Sequence, residues 1–76
     1  MSIKGQAVLL IASGKWRWIK FAPHVPWNLV DALCFAVERV GDDVYALCNV
    51  RALMKAVAEC YDGDLFVEVL PPHKSP

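Results

Sequence analysis

The chain has 76 residues, 57% of them apolar, and its eight Lys/Arg balance eight Asp/Glu. That length allows one domain with a modest core, and the absence of net charge argues against a module held to nucleic acid by charge alone. An apolar share above the roughly 45–50% of ordinary domains predicts a dense core or an apolar surface patch, and a patch implies a partner or a self-contact.

Lys4 precedes Ala7–Ala12, an apolar run of six residues. It is far shorter than the ~20 residues of a membrane span and below the ~7–15 of a signal-peptide core. The run therefore reads as a buried strand, Ala7–Ser13, and no membrane role is expected. Ser13-Gly14-Lys15 is a turn signal, and Trp16–Ala22 reads as a second strand closing a hairpin. Residues 15–21 run Lys-Trp-Arg-Trp-Ile-Lys-Phe. On a strand, Trp16, Trp18 and Lys20 share one face and Arg17, Ile19 and Phe21 the other. Each face carries a cation, so neither can be wholly core, and this run is the expected contact surface. Pro23 and Pro26 then stop the strand, because neither can donate to a ladder.

Asn28 is a good N-cap, Asp31 sits near the positive end of the helix dipole, and Gly41 is placed to be C′. These signals predict a helix from Asn28 to Val40 with an apolar stripe of Leu29, Val30, Leu33, Val37 and Val40. Phe35 then falls between Asp31 and Glu38 on the polar face, either covered by a loop or exposed as a contact residue. Asp42-Asp43 reads as a turn and Val44–Cys48 as a short strand. Arg51, Lys55, Glu59 and Asp62 repeat at helical spacing, and the phase breaks at Asn49, which becomes the N-cap of a second helix. Extending that helix back to Val44 gives the alternative order ββααβ. Asp62-Gly63-Asp64 turns the chain into a last strand, Leu65–Leu70, stopped by Pro71-Pro72. The expected fold is α+β, in the order ββαβαβ. It has a four-stranded, largely antiparallel sheet with two helices packed on one face. A single domain covers 1–72, with a frayed tail over 73–76.

No catalytic set is visible. The chain has no threonine, its serines are Ser2, Ser13 and Ser75, and His24 and His73 both stand beside prolines. No enzymatic activity is expected. Cys34, Cys48 and Cys60 lack the close pairing of zinc ligands, and Asp42, Asp43, Asp62 and Asp64 lack calcium-loop spacing. No metal or cofactor is expected. An odd cysteine count without a CxxC pair argues against a disulfide framework and for a reducing, cytoplasmic setting.

All four cations of residues 1–30 lack a neighbouring acid in sequence, whereas all eight acids lie within residues 31–70. This asymmetry could orient the molecule on a partner. The expected function is a small protein-interaction module that binds and blocks a larger protein, as an inhibitor or adaptor. Accessory proteins of viruses and mobile elements that act against host defences are often of this size. The expected contact residues are Trp16, Arg17, Trp18, Lys20 and Phe35, followed by Asp42, Asp43, Asp62 and Asp64. The alternatives are a nucleic-acid-binding module that stacks bases on the basic aromatic strand, and a homodimeric subunit.

Overall fold

A computed structural model of the chain describes residues 3–23, 25, 28, 31, 33–60 and 66–76. The elements are α1 (Ile3–Ala12), β1 (Trp16–Phe21), β2 (Cys34–Val40), β3 (Asp43–Asn49), α2 (Val50–Cys60) and β4 (Phe66–Val69). The four strands form one antiparallel sheet in the order β2-β3-β1-β4. The expected class, α+β with a four-stranded antiparallel sheet, is the one observed.

Two elements differ in kind from expectation. Residues 7–12 belong to α1 and not to a strand. An apolar run without alternation fits a buried helix as well as a strand. Here the helix begins at Ile3 and is ten residues long, with Gln, Ala and Leu among its good helix formers. Gly14 adopts φ +83° and ends it, so the glycine marks a helix C-terminus and not a hairpin loop. Ser13 N donates to Leu9 O at 3.1 Å, Ser13 Oγ to Leu10 O at 2.6 Å, and Gly14 N to Ile11 O at 3.1 Å. These bonds satisfy carbonyls that the last turn leaves without helical partners.

The second difference lies at Cys34–Val40, expected as the end of a helix and found as β2. Asn28, Asp31 and Leu33 are helical, as expected, and the backbone becomes extended at Cys34. The apolar residues of this segment fit a helical stripe, but its Phe and Val residues also suit a strand. Hairpin pairing with β3 decides the outcome, running from Cys34 opposite Cys48 to Val40 opposite Asp43. Gly41 has φ +62° and occupies the first central position of the two-residue Gly41-Asp42 connection, as a type II′ turn requires. A helix C′ and this turn position both call for positive φ, so the glycine alone does not distinguish them.

The second half follows expectation closely. Val44–Cys48 lies within β3, and Asn49 caps α2 by accepting from Ala52 N at 3.1 Å. Residues 66–69 of the expected last strand form β4. Arg51, Lys55 and Glu59 form an exposed stripe on α2, whereas Leu53 is wholly buried.

The unexpected helix α1 covers the sheet face opposite α2, whereas Leu33, the last helical residue before β2, packs on the α2 face. On one side Leu53 of α2 joins Ile19, Phe21, Val25, Ala46 and Cys48. On the other, Ala7, Leu10 and Ile11 of α1 pack with Trp16, Trp18, Ala36, Tyr45, Leu47 and Leu70. Alternation along β1 and β3 divides the core into these two layers.

Cys34 and Cys48 are joined by a disulfide across β2 and β3. This corrects the expectation that no disulfide forms. As a strand residue Cys34 stands directly opposite Cys48, with a Cα–Cα distance of 4.4 Å that is within bridging range.

Candidate interaction surface

The aromatic strand lies in the middle of the sheet, with β3 on one side and β4 on the other. Its alternation is as expected, but the face of Trp16, Trp18 and Lys20 is roofed by α1. Trp18 is 8% exposed, and Trp16 is half-buried against the same cluster. The stacking platform on which the nucleic-acid alternative relies is thus occupied by the chain's own helix.

The two cations of β1 are engaged within the fold. Arg17 Nη1 donates to Ile11 O at 3.2 Å and to Trp16 O at 2.7 Å. The guanidinium therefore sits at the carbonyl end of α1, where positive charge is favoured. Lys20 Nζ lies 3.7 Å from Asp43 Oδ1, with the two side chains 29% and 49% exposed. An ion pair so open to water contributes at most about 1 kcal/mol.

Asp42 and Asp43 are exposed at the β2–β3 connection. Asp62 and Asp64 lie outside the described residues, as does His24. Among the described residues no group of three His, Cys, Asp or Glu is placed to hold a metal ion. Also among them, no helix is long and apolar enough to cross a membrane. Phe35 is 42% exposed at a bulge of β2 and not on a helix.

The surface that sequence reasoning missed is the outside of α1. Val8 is 65% exposed and Leu9 57%, although Ala7, Leu10 and Ile11 of the same helix face the sheet. The helix is therefore apolar toward both core and solvent. The signal was present in the sequence as an apolar run with no polar side, but reading the run as a buried strand hid it. Beside α1 runs a groove of about 420 Å³, lined by Ala7, Val8, Ile11, Trp18, Glu38 and residues 72–76. Its far wall is the C-terminal segment, which turns back through a bond from Lys74 N to Pro71 O at 3.0 Å. Val40 is 49% exposed and lies on the Glu38 face of β2. Val8 thus borders a groove edged by Glu38 and Lys74, with Arg17 on the adjoining surface beside Ile11. This face can bury against another surface, and its polar rim can set orientation.

Compared with known protein families, curated proteins and solved structures, the chain matches none.

Proposed function

We propose that this chain is a small protein-interaction module, a non-enzymatic inhibitor or adaptor that acts by occupying a surface on a larger protein. The observation that carries this reading is the outward apolar face of α1, where Val8 and Leu9 are 65% and 57% exposed. Single exposed apolar residues are ordinary on any protein. Here two adjacent ones stand on a helix whose inward side is also apolar, beside a groove rimmed by charged residues. Contiguous apolar surface with a polar rim is the usual form of a protein contact. The contact surface assigned to this role is Val8 and Leu9, extended by Glu38 and Val40. Trp16 and Trp18 support it from beneath by holding α1 on the sheet.

The test is site-specific photo-crosslinking of the full chain in extracts of the source cells. The crosslinker is placed at Leu9 in one variant and at Lys55, on the exposed stripe of α2, in another. The expected result is a discrete adduct with a larger protein from position 9, persistent at high salt, and no such adduct from position 55. An adduct only with a second copy would assign the face to homodimerisation. A nuclease-sensitive adduct that fades with salt would favour nucleic acid. Either result, or no adduct at all, would overturn the reading.

A further inference from the structure

We propose that the Cys34–Cys48 disulfide is a redox clasp that holds β2 on the sheet, and that a dithiol reductant releases this strand while the rest of the fold stays in place. The inference does not depend on whether the chain binds another protein.

The first ground is how little β2 buries. Of its seven residues none is buried: Cys34 and Ala36 are half-buried, and Phe35, Val37, Glu38, Arg39 and Val40 are exposed. Its neighbour β3 buries Val44, Ala46, Leu47 and Cys48. Apolar burial, the main driving force for packing, therefore holds β3 firmly and β2 weakly.

The second ground is position. Among the described residues β2 lies at the edge of the sheet, with β3 as its one partner strand. Its ladder is interrupted by a bulge between Cys34 and Ala36, immediately beside the disulfide. A bulge leaves one residue unpaired and weakens the ladder locally. At the other end the hairpin is closed by the Gly41-Asp42 turn, and a two-stranded hairpin alone is marginal in water. The disulfide links residues 14 apart and closes this hairpin at its open end. Breaking it restores conformational freedom that the covalent link had removed.

The third ground is access. Cys34 is half-buried at the margin of the cluster of Ile19, Phe21, Val25, Ala46 and Leu53, in which Cys48 is wholly buried, so Cys34 is the more accessible of the two. A thiolate of the reductant attacks Cys34 Sγ, the S–S bond breaks, and Cys48 leaves as a thiolate and takes up a proton. The second thiol of the reductant, as its thiolate, then displaces Cys34, which is likewise protonated. The dithiol is oxidised to a disulfide as the protein gains two thiols. With β2 released, the edge of β3 opens. An unpaired edge is a template for another strand, so reduction would expose a pairing surface that the oxidised chain conceals.

Hydrogen exchange of the full chain, oxidised and in dithiothreitol, tests this directly. In the reduced chain those amides of Ala36–Val40 that donate to β3 should exchange about tenfold faster or more, with those of Ile19 and Leu53 unchanged, as for a local opening. Cys34→Ser without reductant should reproduce the pattern, and Cys60→Ser should behave as the parent chain. If Cys34→Ser fails to fold, a dithiothreitol titration of the parent chain carries the test. Unchanged exchange of the β2 amides after both thiols are freed would overturn the proposal. So would a uniform rise across the sheet, which marks a global staple, or alkylation of Cys34 and Cys48 without any reductant.

Discussion

Trp18 shows how a single side chain decides between two readings of the aromatic strand. A tryptophan beside Arg17 and Lys20 could be an open platform for bases or a buried anchor. At 8% exposure, against Ala7, Leu47 and Leu70, it is an anchor. Truncating a buried aromatic residue removes its transfer energy and leaves a cavity. Trp18→Ala should therefore cost about 3–5 kcal/mol of unfolding free energy, measured by denaturant titration, and Trp16→Ala should cost less. A Trp18→Ala chain as stable as the parent would return the strand to the surface and reopen the stacking reading. The neighbouring cations fit the anchored arrangement. Arg17 folds back onto the carbonyl of Ile11, and Lys20 leans toward Asp43. In the sequence these residues looked like a basic patch. In the fold, one caps a helix and the other pairs across strands.

At the scale of elements, β2 is where sequence and structure part most clearly. Residues 34–40 satisfy a helical stripe and a strand equally well in isolation. Pairing with β3 across the Gly41-Asp42 turn selects the strand. The sequence left Phe35 either covered by a loop or exposed, and on a helix; it is exposed, and the bulge sets it at the sheet edge. Phe35→Ser should consequently cost no more than about 0.5 kcal/mol, the usual range for surface substitutions. A loss of several kcal/mol on thermal or denaturant unfolding would mean that Phe35 is covered. By contrast, the start of α2 and its exposed stripe were readable because their signals are local: the Asn49 cap and Arg51, Lys55 and Glu59 lie within one helix. For α1, Gly14 gave the correct stop. The preceding six apolar residues held no periodicity with which to choose a helix over a strand, and the strand reading hid the apolar outer side that Val8 and Leu9 form. The disulfide was hidden with β2, since it is the hairpin pairing that sets Cys34 opposite Cys48.

Over the whole molecule, the sheet separates two small cores that neither helix could sustain alone. Its Cα radius of gyration is 11.7 Å, close to the about 11 Å expected of a compact domain of this length. One layer is anchored by Leu53 and the other by Trp18, and β1 and β3 contribute alternate residues to both. Ile19 and Ala46 face α2, while Trp18 and Leu47, their immediate neighbours in the chain, face α1. Neither layer can lose its strands without stripping the other of backbone pairing, so the two should unfold together. A domain of this size has only about 4–11 kcal/mol of stability to lose, and Leu53→Ala alone should remove about 2–5 kcal/mol. In that variant, loss of the far-ultraviolet helix signal and the shift in tryptophan fluorescence should follow one denaturant curve, although the substitution touches only the α2 layer. Two separated curves would show that the α1 layer persists without the α2 layer, and that the sheet does not couple them.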